Sequence, residues 1–466
     1  MIFSSLTFVI FFAIVVGAMV VMKDERRKQW FLTIASFVFY GWWNWWFLLL
    51  IIGSSVWSFE FGRLLAKATD GHHRKRLLAI SVAFDLGALA YFKYTNFFIQ
   101  SFAEAFGVSA PILDILLPAG ISFFVFQTMS YVIDVYRGHI PVCEDRLKFF
   151  LFVAFFPQLV AGPIVRAVEL LPQLDNPIRI RRDNVVWGSQ VFIFGLVQKT
   201  LIADSVAGFV DPVFKDPALY DAATLWLGLF AYTVQIFCDF SGYSLMAIGT
   251  AKILGFDLVE NFRMPYLSRS ITEFWRRWHM SLSFWLRDYL YISLGGNRKG
   301  KWRTDFNLVA TMVLGGLWHG AGWNFVLWGT AHGLALMAHK HWSARVRPAE
   351  RFQGMAGYVY SAGAWVVTLL FVMALWIPFR AQSFEITAVY FQGLFEAEGV
   401  RWLKPQVLLL VAGVAVWHLA YASRLPHGLP AQNPFAWRPL FLLGAMVFLV
   451  VMFAPLDASP FIYFQF

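Results

Sequence analysis

Long apolar runs, separated by short polar and basic segments, dominate the pattern of this chain. A helix needs roughly 20 mainly apolar residues to cross a bilayer, and fewer where neighbouring helices shield it. We therefore predict membrane-spanning helices at residues 2–22, 77–92, 112–133, 187–206, 223–249, 358–379, 407–423 and 439–455. In the first run the basic residues follow the apolar region instead of preceding it, which favours a helix over a signal peptide.

Two further apolar stretches are too long for one helix. Residues 30–65 are interrupted by a tryptophan cluster at 41–46, of the kind found at the headgroup level. Residues 306–340 are interrupted at Gly320 and Gly322, which are poor helix formers. We predict two helices in each stretch, so that His319 lies beside a break.

The distribution of positive charge supports this division, because Lys and Arg accumulate on the cytoplasmic side. With the N-terminus outside, the cytoplasmic loops hold all but six of the 38 basic residues, the exceptions being Lys93, Lys199, Lys215, Arg380, Arg401 and Lys404. The same argument makes residues 149–162, with Pro157, a re-entrant segment between two basic flanks. About twelve spans result, and both termini lie outside.

The composition agrees with an all-α polytopic membrane protein that forms one domain over residues 1–466, since 59% of the residues are hydrophobic and 14% are charged. The net charge of +10 is scattered, which argues against a nucleic-acid partner. Cys143 and Cys238 lie far apart, and there is no His-Glu-x-x-His motif or carboxylate cluster. Asp239 has no evident ligand-type partner, so we expect no metal site.

Two histidines in apolar surroundings, His279 and His319, are the candidate catalytic residues, because imidazole can take and return a proton near neutral pH. Glycines around His319 leave room for another molecule or backbone, and Trp318 and Trp323 could wall a passage. The alternative for His319 is a buried histidine satisfied by a neighbour. His332 and His339 are better explained as packing or interface residues.

Residues 270–291 predict a cytoplasmic helix, with Thr272 and Glu273 suiting its N-terminus. Helical spacing forms one aromatic stripe from Trp275, Trp278, Leu282, Trp285, Leu286 and Tyr289. The helix could be an interfacial anchor, or it could wall a funnel in which arginines meet the phosphates of an anionic donor. Both interpretations can hold at once.

Several motifs together resemble those of the membrane-bound O-acyltransferase family, in its bacterial alginate O-acetyltransferase-like branch. They lie at residues 156–166 (FPQLVAGPIVR), 239–243 (DFSGY), 260–262 (ENF), 265–266 (PY), 273–283 (EFWRRWHMSLS), 287–289 (RDY), 294–298 (LGGNR), 316–320 (GLWHG) and 461–466 (FIYFQF). The chain departs from the alginate-type pattern at Leu245 and Ser293. Neither departure touches a histidine, so they concern the polymer and not catalysis.

The resemblance implies a bundle of about 10–12 transmembrane helices, with re-entrant and interfacial helices, around a central tunnel in the bacterial inner membrane. It puts His319 at the family's catalytic position and His279 at the second functional histidine. It further implies acetyl-CoA as acyl donor, no permanently bound cofactor, and a periplasmic acetyltransferase or a polysaccharide as acceptor. The candidate substrate-binding or tunnel residues are Trp278, Arg276, Arg277, Ser283, Asp288, Asn297, Arg298, Trp318 and Asn324.

We expect His319 to act as general base, and His279 either to orient the thioester carbonyl or to relay the proton. The two histidines would be separate stations of one tunnel, His279 near the cytoplasm and His319 deeper. Three alternatives remain open: D-alanyl transfer to teichoic acid from a carrier-protein thioester, a proton-coupled transporter, and a scaffold of an export complex. The polymer, the acetylated hydroxyl and the oligomeric state are not specified by the sequence.

Overall fold

The computed structural model describes residues 1–159, 162–422, 437–453 and Phe461, and these residues are predominantly helical. Within them no strand forms, and an isolated bridge pairs Tyr220 with Val400. The predicted all-α class is confirmed. Parts of four sequence predictions lie outside the described residues: the ends of the spans 407–423 and 439–455, residues 160–161 of the re-entrant segment, and all but Phe461 of the motif 461–466.

The α-helices are numbered in chain order. Those before residue 220 are α1 (Leu6–Val21), α2 (Glu25–Gly41), α3 (Phe47–Lys67), α4 (Gly71–Leu89), α5 (Thr95–Phe106), α6 (Ile121–Arg137), α7 (Arg146–Ala154), α8 (Phe156–Leu159), α9 (Ala167–Leu170), α10 (Arg182–Leu196) and α11 (Asp204–Lys215). Those after it are α12 (Ala222–Ile253), α13 (Ile271–Trp275), α14 (Met280–Trp285), α15 (Lys301–His319), α16 (Trp323–Val346), α17 (Pro348–Arg351), α18 (Gly354–Arg380), α19 (Phe384–Gly393), α20 (Pro405–Ala422) and α21 (Trp437–Phe453).

Five helical stretches of the described chain are long and apolar enough to cross a membrane: Phe47–Lys67, Gly71–Phe106, Arg182–Lys215, Ala222–Ile253 and Gly354–Arg380. Shorter apolar helices accompany them, including Leu6–Val21. The chain is a multi-pass membrane protein. The expected count of about twelve spans and the outside position of both termini stay predictions.

The tryptophan cluster divides one long apolar stretch into two helices, as predicted. Helix α2 ends at Gly41 and α3 begins at Phe47. The four tryptophans between them, Trp42, Trp43, Trp45 and Trp46, have 56–61% of their surface exposed. Such exposure suits amphipathic rings at a membrane surface.

One predicted helix start is wrong, and one predicted span is part of a longer helical stretch. The run 112–133 was expected to be helical throughout, but the helix begins at Ile121, after Pro118 and a left-handed Gly120 (φ 71°). Proline and a left-handed glycine both interrupt a continuous helix. The run 77–92, by contrast, continues through a π-helical turn at Ala90–Tyr94 to Phe106. Apolar composition alone therefore did not locate the start of the helix at Ile121 or the full length of the helical stretch Gly71–Phe106.

The described residues form two compact units, of which the first comprises residues 1–159, 162–195, 243–259 and 437–444. Its core contains packed phenylalanines, with ring centroids of Phe3 and Phe8 4.8 Å apart and those of Phe39 and Phe156 5.4 Å apart. The predicted re-entrant segment belongs to this unit and consists of α7 and α8, which are separated at Phe155 and buried. Its dip into the membrane stays a prediction.

The second unit comprises residues 196–242, 260–422, 445–453 and Phe461, and it contains both candidate histidines. It also holds a buried ionic cluster centred on Lys199, in a π-helical stretch at Val197–Ala203. The Lys199 ammonium lies 2.7 Å from Asp204 Oδ1 and 2.5 Å from Asp239 Oδ1. Asp239 therefore has a lysine as its partner, which accounts for a carboxylate inside an apolar helix.

Candidate active site

A helical hairpin positions His319. It is the last residue of α15, Gly320 and Gly322 continue in extended conformation, and α16 begins at Trp323. The break predicted at Gly320–Gly322 is confirmed. The hairpin keeps His319 at a helix end, where its side chain faces the interior of the unit and is only 2% exposed.

Glycines let the two arms of this hairpin approach closely. A Cβ added at Gly316 would lie 2.2 Å from the Phe325 carbonyl oxygen, and one at Gly329 would lie 2.3 Å from the Met312 carbonyl oxygen. At these glycines, the backbone of the facing helix therefore occupies the space that a side chain would take. Small residues commonly allow membrane helices to pack this closely. Gly320 likewise admits the ring of Phe325.

Aromatic rings surround His319. Its ring centroid lies 5.1 Å from Trp318, 5.0 Å from Trp328 and 5.4 Å from Phe379, in edge-to-face arrangements. Trp318 was expected here, and the other two rings come from α16 and α18. Trp323, the second expected wall, is 52% exposed, whereas Trp328 is fully buried. The imidazole thus lies in a low-dielectric environment.

His279 does not lie on a continuous amphipathic helix, and this prediction was wrong. Helix α13 starts after the N-cap Ser270 and ends at Trp275, and α14 starts at Met280. His279 lies between them in a left-handed conformation with φ 42° and ψ 55°. A residue other than glycine is uncommon there, and it often marks a functional site.

The aromatic stripe is buried within the unit and does not lie at its surface. Trp275, Trp278, Leu282, Trp285, Leu286 and Tyr289 are each at most 8% exposed. Trp278 packs against Trp376, and Trp275 packs against Trp328, with ring centroids 5.0 Å and 5.7 Å apart. The helical spacing correctly identified apolar residues, but they pack against protein rings. This burial argues against an interfacial anchor.

The two histidines are neighbours and not separate stations. Their ring centroids lie 6.4 Å apart, and Trp318 contacts both rings. They come from different segments, as expected, but the short α13–α14 turn brings His279 alongside the end of α15. The two imidazoles therefore form one buried cluster.

His279 has a defined partner and an uncharged form. Its Nδ1 lies 3.1 Å from Asn261 Oδ1, and its side chain is completely buried. This burial lowers the pKa of His279 from 6.5 to about 3, because the interior disfavours the charged imidazolium. His279 is therefore a neutral imidazole at physiological pH.

Comparison with known proteins agrees with this geometry. The family model of membrane-bound O-acyltransferases matches residues 144–377, which include both histidines. The chain belongs to the membrane-bound O-acyltransferase family. It is 39% identical to a probable alginate O-acetylase from Pseudomonas putida, over 89% of each chain.

Two less similar relatives are named for other acceptors, peptidoglycan and teichoic acid. A peptidoglycan O-acetyltransferase from Helicobacter pylori is 36% identical over 75% of this chain and 70% of its own. A teichoic acid D-alanyltransferase from Streptococcus thermophilus is 30% identical over 51% of this chain and 60% of its own. The chain is thus an O-acyltransferase.

The remaining predicted residues of this O-acyltransferase have local partners. Ser283 donates to the Trp278 carbonyl at 3.3 Å, and Asn324 donates to the Ala381 carbonyl at 2.8 Å, which ties the start of α16 to the end of α18. Asp288 pairs with Arg287, and Asn297 accepts from the Tyr291 hydroxyl. These contacts assign structural tasks, and direct substrate contact stays a prediction.

The three candidate arginines differ in their freedom to bind an anion. Arg277 pairs with Glu273, Nη2 to Oε1 at 2.7 Å. Arg276 and Arg298 are exposed, and within the described ranges neither has an ion-pair partner. They are the stronger candidates for contact with a phosphate.

Two other histidines of the hairpin, His332 and His339, contact neighbouring side chains. His332 is fully buried, accepts a hydrogen bond from Trp275 Nε1 at 3.3 Å and packs on Trp328. His339 lies 2.8 Å from the Thr272 hydroxyl through Nδ1. Among the described residues no group of His, Cys, Asp and Glu could hold a metal ion.

Five residues that were not predicted from the sequence complete the surroundings of the two histidines: Asn261, Phe240, Trp328, Trp376 and Phe379. Asn261 and Phe240 lie in motifs that carry the family resemblance, and the Phe240 ring lies 4.6 Å from that of His279. Membership in those motifs was the sequence signal that could have identified Asn261 and Phe240 as site residues. No feature of the neighbouring sequence distinguishes Trp328, Trp376 and Phe379 from other aromatic residues in membrane helices.

The hairpin packing generates a prediction. Gly316→Ala should destabilise the protein by about 1–3 kcal/mol and slow acyl transfer, because the added methyl group overlaps the Phe325 carbonyl and must displace α16. Gly322→Ala is the matched control, since its Cβ would meet Phe325 at an ordinary 3.6 Å. Thermal unfolding in detergent measures the difference. Equal melting temperatures for the two variants would contradict close packing at Gly316.

Proposed function

We propose that this protein takes an acetyl group from cytoplasmic acetyl-CoA and passes it across the bacterial inner membrane for O-acetylation of an exported polysaccharide such as alginate. A periplasmic acetyltransferase is the proposed intermediate acceptor, and both termini are proposed to be periplasmic. The observation that carries the proposal is the buried pair His279 and His319, 6.4 Å apart between ring centroids, within the region matched by the family model.

The proposed reaction needs one proton acceptor and no metal. An imidazole nitrogen takes the proton of the acceptor hydroxyl while the hydroxyl oxygen bonds to the acetyl carbon. The carbon–sulfur bond then breaks, and the proton passes to the leaving thiolate, so that an ester and free coenzyme A result. His319 is proposed as the base, and the neutral His279 as its partner.

The proposed acceptor follows from the relatives. Alginate and peptidoglycan, named in two of them, are both polysaccharides that receive an acetyl ester, and these relatives exceed the D-alanyltransferase in identity and coverage. This pattern supports polysaccharide O-acetylation over D-alanylation. The departures at Leu245 and Ser293 leave the particular polymer open.

The histidine pair generates a prediction about catalysis. His319→Ala should reduce acetyl transfer at least about 100-fold, the usual contribution of a general base, and His279→Ala should also be strongly impaired. The assay measures the transfer of a radioactively labelled acetyl group from acetyl-CoA, catalysed by the purified protein in nanodiscs. His73→Ala, in the exposed N-terminal turn of α4, is the control and should remain active.

A His319→Ala protein that inserts normally and still transfers acetyl groups would overturn the assignment. The same assay separates the alternatives. A D-alanyltransferase would label from a D-alanyl carrier-protein thioester and not from acetyl-CoA. A proton-coupled transporter would give flux in proteoliposomes without transfer of label.

Binding of the donor phosphates generates a prediction about donor affinity. Arg276→Glu and Arg298→Glu should each raise the apparent KM for acetyl-CoA about tenfold or more, because a charge-assisted hydrogen bond is replaced by repulsion. Lys215→Glu is the matched control: Lys215 is exposed and belongs to the basic residues predicted outside the cytoplasm. Initial rates over a range of acetyl-CoA concentrations give the KM values. Unchanged KM in both arginine variants would refute phosphate binding at this surface.

A further inference from the structure

Three groups converge on the side-chain oxygen of Asn261, a residue that is 1% exposed. The Ser281 backbone nitrogen lies 3.3 Å from Oδ1, the Ser281 hydroxyl lies 2.9 Å from it, and His279 Nδ1 lies 3.1 Å from it. In addition, the Met280 N–H donates to the Asn261 backbone carbonyl at 2.9 Å. Asn261 thus binds both the side chain of His279 and the turn that follows it.

The chemistry of these groups fixes the positions of the protons. A backbone N–H can only donate, so the Asn261 atom that faces Ser281 must be the oxygen and not the amide nitrogen. His279 Nδ1 faces the same oxygen and must therefore carry a hydrogen. In a neutral imidazole only one nitrogen is protonated, so Nε2 presents a lone pair.

We propose that Asn261 is a positioning residue, which holds His279 in its Nδ1–H tautomer and thereby makes Nε2 a proton acceptor in acyl transfer. This inference rests on the proposed function and deepens it. A thioester carbonyl could be polarised only by an N–H donor, whereas a relay needs an acceptor. Of the two tasks considered for His279, the tautomer selects proton transfer.

The backbone supports this task for Asn261. The left-handed conformation of His279 is strained, and the bond from the Met280 N–H to the Asn261 carbonyl stabilises the turn that follows it. Phe240 and Phe262 pack on the His279 ring, and His319 is a titratable group beside it. An amide fixes the tautomer without adding a charge, so the imidazole stays neutral.

The tautomer can be measured without any assay of activity. Protein labelled with ¹⁵N-histidine is examined by NMR in nanodiscs, and the His279 signals are identified by their loss in His279→Gln. We expect a protonated Nδ1 and an unprotonated Nε2 in the wild type, and loss of this preference in Asn261→Leu. A protonated Nε2 in the wild type would overturn the inference, whatever the variants do.

Kinetics test the consequence for catalysis. Asn261→Leu should lower kcat about 100-fold with little change in the KM for acetyl-CoA, whereas Ser281→Ala, which removes another donor to the same oxygen, should stay within a few-fold of the wild type. Asn261→Asp keeps the acceptor but adds a negative charge, which favours the imidazolium and raises the pKa of His279. The acid limb of its pH–rate profile should move to higher pH.

The outcomes distinguish this inference from the proposed function. If His279→Ala remains active, the proposed part of His279 in the reaction fails. If His279→Ala is inactive but Asn261→Leu and Asn261→Asp keep the wild-type kcat and pH profile, only the positioning task of Asn261 fails. Recovery of activity in Asn261→Asp but not in Asn261→Leu supports it, because a merely space-filling residue would be replaced as well by leucine.

Discussion

The burial of an uncharged imidazole is the constraint on which the rest of this site depends. His279 has lost its contact with water, so its charged form is strongly disfavoured and its polar atoms need partners within the protein. Asn261 supplies such a partner without a charge. A carboxylate in its place would favour the imidazolium, and an apolar residue would leave Nδ1 unsatisfied.

Two backbone features bring the histidines together from segments 40 positions apart in number. A left-handed turn between α13 and α14 directs His279 into the unit, and the glycine-packed hairpin of α15 and α16 ends one arm at His319. The turn costs conformational energy and the glycines cost helix propensity. Both costs are offset by the packing of the surrounding tryptophan and phenylalanine rings.

Local sequence predicted the features that depend on local physics. Runs of apolar residues identified the membrane class, and the glycines and the tryptophan cluster identified the breaks after His319 and Gly41. The continuous helix through His279 was wrong, because neither proline nor glycine marks the left-handed turn there. Helical spacing correctly found the apolar positions of that segment, but periodicity does not distinguish a lipid-facing ring from one that packs on Trp376.

The arrangement around His279 depends on contacts between residues that are distant in the sequence. Asn261 and Phe240 lie in motifs noticed from the sequence, yet only the folded chain shows that one binds the ring nitrogen and the other covers the ring. The same holds for the distance between the histidines. Because His279 and His319 lie in separate segments with different flanking residues, the sequence suggested two separate positions along a tunnel. In the structure, the α13–α14 turn packs beside α15, and the two histidines form one cluster.

We propose that acyl transfer takes place at these two imidazoles. The most direct test is a structure of the protein in nanodiscs with an acetyl-CoA analogue in which a methylene group replaces the thioester sulfur. We expect the acetyl carbonyl to contact both His279 and His319, with room for an acceptor hydroxyl at about 3–3.5 Å from the carbonyl carbon. An acetyl group bound away from both imidazoles would contradict it.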